Sequence, residues 1–195
     1  MGKVVLHMSM SLDGYIAGPN VGVDAPMGEG GERLHEWLST GSDSDPRDAE
    51  VAAEMFATAT TGAVVMGMRT FTVGEGQWGD DGTFAMPCFV LTHRPAETLV
   101  RGAMTFTFVT DGIDSALAQA NAAAGDKYIN LMGADTAQQF LSAGLLDEIQ
   151  ISLIPILLGD GVRLFESSAT EHIELERRRV IESAGVTHLK FRVLK

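Results

Sequence analysis

The stretch over residues 62–71, Gly-Ala-Val-Val-Met-Gly-Met-Arg-Thr-Phe, constrains the fold most tightly. Its run from Ala63 to Met66 is short, apolar and rich in β-branched residues, the pattern of a strand buried on both faces. Such strands belong to sheets covered by helices, so an α/β layering is expected. Gly67 lets the chain turn sharply with its backbone close to a neighbour, and Arg69 and Thr70 follow at once. With a helix starting there, free N–H groups, a cation and a hydroxyl converge on one point suited to a phosphate. The plainer alternative is a strand, a turn and a surface arginine.

Related units recur along the chain. Residues 3–10 read as a first strand apolar enough to be central, running into the turn signals Asp13-Gly14 and Gly18-Pro19-Asn20. The Gly-rich stretch to Gly31 has the composition of a long mobile loop, the kind that serves as a lid or binding loop. Residues 32–38 pattern as a short amphipathic helix, with Leu34, Trp37 and Leu38 on one side, and residues 46–60 as a longer helix. A short helix near Thr70 and a Gly-rich loop over residues 74–82 precede a buried strand at 87–92, which delivers Thr92, His93 and Arg94 to a turn. Residues 105–109 read as a strand and 111–124 as an Ala-rich helix, with Asp111 as N-cap and Gly125 as stop. A strand at 128–132 follows, and Gly133-Ala134-Asp135-Thr136 opens a helix through Leu141 that ends at Gly144, a third potential phosphate cradle.

The final stretch changes character. Residues 147–155 alternate like a strand, and 173–182 and 186–194 read as two antiparallel strands joined at 183–185. The order describes an α/β sheet, parallel in its body with antiparallel edge strands. In such sheets ligands sit at the carboxyl ends of strands, where Ala17, Gly67, Thr92 and Gly133 fall. Three potential phosphate positions on one rim point to an extended polyphosphate ligand.

Composition sets the outer bounds. A chain of 195 residues that is 45% hydrophobic suffices for one domain spanning residues 1–195. A formal charge of −12, from 26 acidic against 14 basic residues, argues against nucleic acid or anionic membrane as partner. No segment has transmembrane length and the first residues lack a signal-like apolar run, so a cytoplasmic protein is expected. The single cysteine, Cys88, excludes an internal disulfide and reads as a buried structural thiol. Asp43, Asp45 and Asp48 have a calcium-like spacing, but Pro46 and Arg47 interrupt it and no closing Glu follows. The five histidines show no metal-site spacing. No metal is expected.

Taken together, several pieces resemble the dihydrofolate-reductase-like superfamily, and within it the RibD C-terminal domain family of NADPH-dependent reductases. They are residues 10–17 (Met-Ser-Leu-Asp-Gly-Tyr-Ile-Ala), Met66-Gly67-Met68-Arg69-Thr70, Val90-Leu91-Thr92-His93-Arg94, Gly133-Ala134-Asp135-Thr136, and Leu146-Asp147-Glu148 followed by residues 155–161. Their order and spacing cover nearly the whole chain. The resemblance implies a dihydrofolate-reductase-like α/β fold: a central, mostly parallel sheet with antiparallel C-terminal strands and helices on both faces. It implies NADPH as cofactor, with Gly67, Met68, Arg69 and Thr70 at the adenosine-side phosphates. Leu91, Thr92 and Arg94 would then frame the adenine and its 2′-phosphate, Gly133, Ala134, Asp135 and Thr136 would bind the pyrophosphate, and Ile16 and Ala17 would contact the nicotinamide. The loop after Gly18 would act as a lid. The implied activity is hydride transfer to a C=N or C=O bond of a small heterocyclic substrate, as in the phosphoribosylaminouracil reductase of riboflavin biosynthesis and in dihydrofolate reductase.

Asp13, at the end of the first strand and beside the inferred nicotinamide, is the catalytic candidate; the alternative is an Asp-Gly turn whose side chain bonds its own backbone. The sequence also departs from the family. Met132 stands where relatives usually carry the first of two glycines, and a cis peptide there is costlier with a non-Gly residue. Leu131 replaces the Glu of riboflavin-pathway reductases. Where dihydrofolate reductases hold the pterin with a carboxylate, Glu32 and Glu36 are near but out of register. A nucleotide-binding protein without efficient catalysis is therefore the second reading. The apolar residues of 149–158 and 186–194 are candidates for a homodimer interface, or equally for the second face of the core.

Overall fold

The computed structural model describes residues 2–38, 45–55, 57–79, 84–166 and 172–195. Among the described residues, eleven strands, four α-helices and one 3₁₀ helix follow one another. Nine of the strands form one sheet in the order β10-β11-β8-β1-β7-β3-β4-β6-β5. Its members are β1 (Val4–Ser11), β3 (Thr61–Gly67), β4 (Pro87–Leu91), β5 (Leu99–Arg101), β6 (Met104–Val109), β7 (Tyr128–Met132), β8 (Glu148–Ile154), β10 (Leu175–Glu182) and β11 (Thr187–Val193). The strands from β8 through β1, β7, β3 and β4 to β6 pair in parallel. β11 against β8, β10 against β11 and β5 against β6 are antiparallel. The expected mostly parallel sheet with antiparallel C-terminal strands is what the chain forms. Two short strands, β2 (Tyr15–Ala17) and β9 (Val162–Arg163), make a small antiparallel pair beside it.

The period of two along β3 divides the core. Ala63 and Val65 face one side, with Ala116, Ala120 and Ala124 of α3 (Gly112–Ala124) and Ala137 and Phe140 of α4 (Ala134–Ser142) in the same cluster. Val64 and Met66 face the other, in a cluster with Phe71 of α2 (Met68–Gly74), Cys88 and Phe106. Small alanines let α3 lie close to the sheet, while aromatic rings fill the far side. Cys88 is fully buried there, and burial pushes its thiol up to about 12. A third cluster joins Leu34 of the 3₁₀ helix (Gly31–Leu38) to Ile154 and Val186.

Some boundaries differ from expectation for identifiable reasons. α1 (Pro46–Met55) stops short of residue 60, because the Ala/Thr-rich segment at 57–60 turns directly into β3. Asp111 precedes α3 but its side chain makes no capping bond, so the helix begins without the expected carboxylate cap; Gly125 at φ +62° does end it. Of the calcium-like aspartates, Asp45 binds Arg47, and Asp48 binds His188 Nε2 at 3.1 Å and Ser183 Oγ at 3.1 Å. Asp43 lies outside the described residues. Among the described residues no helix is long and apolar enough to cross a membrane.

Candidate active site

A cleft of about 1160 Å³ opens along the carboxyl ends of the central strands. Three strand-ending turns on neighbouring strands build its rim: Gly133 after β7, Gly67 at the end of β3 and Thr92 after β4. Adjacent strands are roughly 5 Å apart, so the outer two turns stand roughly 10 Å from each other. β3 and β7 pair with Met66 opposite Met132, which brings Met66-Gly67-Met68-Arg69-Thr70 alongside Met132-Gly133-Ala134-Asp135-Thr136 as two copies of one turn. Gly133 takes φ +90°, and a Cβ there would run into Thr70 Oγ1. A Cβ on Gly67 would in turn stand 3.4 Å from Thr136 Oγ1. Each glycine thus leaves bare backbone against the threonine of the opposite turn. Neither α2 nor α4 has a side-chain N-cap, so the first N–H groups of α4 keep their donors for an incoming anion. Every described peptide bond is trans, Met132–Gly133 included.

Charge is placed at the same end. Arg69 and Arg94 line the cleft, and no lysine does among the described residues. Neither guanidinium has a carboxylate partner among the described residues, whereas Arg33, Arg47, Arg101 and Arg179 each pair with one. Thr92 Oγ1 accepts the Arg94 N–H at 3.1 Å and fixes the turn that presents Arg94. Ile16 and Ala17 of β2 enter the lining from the far side, as do Met68, Thr70, Leu91, Ala134, Asp135 and Thr136 from the rim. The fold therefore brings every expected cofactor position, including Gly67 and Gly133, to one cleft.

A model of the RibD C-terminal domain matches residues 2–189. The chain belongs to that family. Solved structures agree in fold along the whole length. A Shewanella sp. PV-4 protein attributed to riboflavin biosynthesis is 25% identical with TM-score 0.73, each chain covered in full. Dihydrofolate reductase from Enterococcus faecalis, in complex with NADP(H), is 14% identical with TM-score 0.62, covering 100% of this chain and 98% of that one. The Thermotoga maritima diaminohydroxyphosphoribosylaminopyrimidine deaminase/5-amino-6-(5-phosphoribosylamino)uracil reductase is 14% identical with TM-score 0.66. There 99% of this chain matches 57% of the partner, so the family domain accounts for little more than half of that protein. No curated protein sequence matches the chain.

Within the family domain, Asp13 is placed differently from the catalytic position expected for it. Its carboxylate accepts hydrogen bonds from Ser11 Oγ at 2.6 Å, Leu158 N at 3.1 Å and Gly159 N at 2.7 Å, and its carbonyl accepts one from Arg163. The Ser11 bond, followed by those backbone donors, holds the acid below its ordinary value. Asp13 is absent from the cleft lining. It braces the turn before β9, as an Asp-Gly turn residue with long-range partners.

Sequence reasoning passed over the floor of the cleft. His7 and Ser9 alternate along β1 onto one face, and Asn130 stands amid the apolar residues of β7; all three line the cleft. A polar residue inside a strand otherwise buried on both faces was the available signal. Asn130 is 9% exposed and its Oδ1 has no hydrogen-bond partner among the described residues. His7 is 6% exposed, and burial, with His188 adding to it, lowers its pKa to about 4, so the ring is neutral at physiological pH. Glu32 and His35 of the 3₁₀ helix also line this end, while Glu36 pairs with Arg33 and does not. The loop expected to be mobile carries its own bonds, Gly18 N to Met27 O at 2.8 Å and Glu29 N to Pro19 O at 2.9 Å. It sets Val21, Pro26 and Met27 over the cleft.

Proposed function

We propose that this chain is an NADPH-dependent reductase that transfers a hydride to a C=N or C=O bond of a small heterocyclic substrate. The observation that carries it is the rim: three turns on adjacent parallel strands with two guanidiniums that have no carboxylate partner among the described residues. Gly133 and the N-terminus of α4 offer backbone donors to the pyrophosphate. Arg69 and Thr70 hold the adenosine-side phosphate, the guanidinium bidentately. Arg94, presented by the Thr92 turn, pairs with the 2′-phosphate and selects NADPH over NADH. Ile16 and Ala17 bound the nicotinamide, and Val21, Pro26 and Met27 keep water from it. Bound NADPH supplies the hydride; the balancing proton is taken from water. The NADP(H) complex of the E. faecalis reductase, of the same fold, supports this cofactor.

A second reading, nucleotide binding without efficient turnover, is favoured by the engagement of Asp13 in structural bonds outside the cleft. A cytoplasmic location and a homodimer complete the proposal. The exposed Leu175 and Val180 on the edge strand β10 support the dimer.

Titration with NADPH and NADH tests the reading, because Trp78 lines the cleft and reports by fluorescence quenching. NADPH binds more tightly than NADH, and Arg69→Ala weakens it about tenfold or more. A folded wild-type protein that binds neither nucleotide removes the reductase reading. NADPH oxidation in the presence of dihydropterins or aminopyrimidines separates turnover from binding alone.

A further inference from the structure

The two ends of the cleft differ in charge. Its guanidiniums, Arg69 and Arg94, enter from the β3 and β4 turns. At the β1 end the ionisable groups are His7, His35 and the carboxylate of Glu32. Burial disfavours the charged form of both imidazoles. Of the cations on β10, β11 and the 3₁₀ helix, Arg33 pairs with Glu36, Arg179 with Glu54 and Lys190 with Glu148, and none of the others lines the cleft. None of the residues outside the described ones is a lysine or an arginine. A phosphate group is held by cations or by helix N-terminal donors. Here the first turn of the 3₁₀ helix carries Glu32 instead.

The floor has a different capability. Asn130 Oδ1 is buried without a donor, and leaving such an acceptor unmet is costly, so a ligand N–H placed against it gains a bond that the empty protein lacks. Val5 of β1 pairs with Asn130, and His7 lies two residues further along the same face. The His7 side chain makes no hydrogen bond among the described residues, and its neutral ring keeps one donor and one acceptor. Ser9 Oγ accepts the Trp37 Nε1–H at 2.9 Å. Met27, Leu38 and Met55 supply apolar walls.

We propose that the β1 end of the cleft takes an uncharged, unphosphorylated planar aminopyrimidine or pteridine ring, with Asn130 accepting a ring or amino N–H and His7 completing the hydrogen-bonded edge. This rests on the reductase reading above and separates this chain from a phosphoribosylaminouracil reductase such as the T. maritima enzyme. The Lys- and Arg-free end offers nothing to hold a phosphoribosyl group, and Glu32 repels it.

The test is calorimetric titration of the full chain, saturated with NADPH, using diaminouracil, dihydropterin and phosphoribosylaminouracil. At least one unphosphorylated ring binds about tenfold or more tightly than the phosphorylated one, and Asn130→Leu weakens it about tenfold, with NADPH binding as the check that the cleft is intact. Glu32→Lys raises affinity for the phosphorylated ring, an arm that survives should Asn130→Leu fail to fold. Wild-type protein that holds NADPH but prefers the phosphorylated compound, or binds neither unphosphorylated ring, overturns the substrate inference alone. Protein that does not hold NADPH overturns the reductase reading, and this inference with it.

Discussion

Gly133 gives up the space that the Thr70 hydroxyl occupies. The φ of +90° at Gly133 and the overlap that any Cβ there would make with Thr70 Oγ1 lock two strand-ending turns together across the β3–β7 pair. The reciprocal approach of Gly67 and Thr136 completes the lock. The rim is therefore one rigid part made from two similar pentapeptides far apart in the chain.

Gly133→Ala consequently loses both a permitted backbone conformation and a clearance. It destabilises the protein by about 1–3 kcal/mol and weakens NADPH binding, read by urea unfolding and fluorescence titration. Adding Thr70→Ala restores part of the stability, since the clash goes while the positive φ remains.

Arg94→Ala divides the two nucleotides. With the 2′-phosphate partner removed, NADPH affinity falls about tenfold while NADH affinity holds. Parallel titrations measure the ratio, and an equal loss for both nucleotides would assign Arg94 to a shared part of the cofactor.

Acid weakens this fold through His7. The unfolded chain protonates that imidazole near 6.5, whereas the buried ring waits until about 4. Between those values the unfolded state binds more protons, so stability falls as pH falls, by about 3 kcal/mol across the window. His188 and Lys190 on β11 and Arg179 on β10 oppose the charge, while Glu54 of α1 favours it. Urea unfolding of wild type and His7→Leu across the window isolates the contribution, which the variant lacks.

Asp13→Ala releases the turn at 158–159 from the β1–β2 turn. The urea midpoint drops and NADPH affinity is retained; because the native carboxylate is held below its ordinary value, its contribution is present at neutral pH and disappears as pH falls into the carboxylate range. A variant of unchanged stability that has lost turnover would return Asp13 to the chemistry.

Local chemistry made much of this molecule readable. The apolar runs at 63–66 and 128–132 could only be buried strands, and the glycine after each marked the rim of the cleft. The short strands β2, β5 and β9 were illegible, because strands of two or three residues are defined by partners, Tyr15 with Arg163 for instance, and carry no periodicity of their own. The bracing bonds of Asp13 were illegible for the same reason. Its neighbours in sequence said strand end, and only tertiary contact with Leu158 and Gly159 says brace. The meeting of Asn130 and His7 on one polar floor likewise arises from strand order, which places β7 beside β1.

That strand order also dictates when the cleft can exist. The first strand lies between the seventh and eighth, and the seventh lies between the first and third. A chain emerging from the ribosome therefore carries β1 and β3 with no strand between them until residues 128–132 arrive, and the nucleotide rim stays split into unconnected turns. Parallel, long-range pairing of this kind is slow to nucleate and leaves apolar strand edges open meanwhile. Nascent chains that end before β8 thus carry unpaired apolar strand edges, and nucleotide can act as a folding ligand only after most of the sequence has been made.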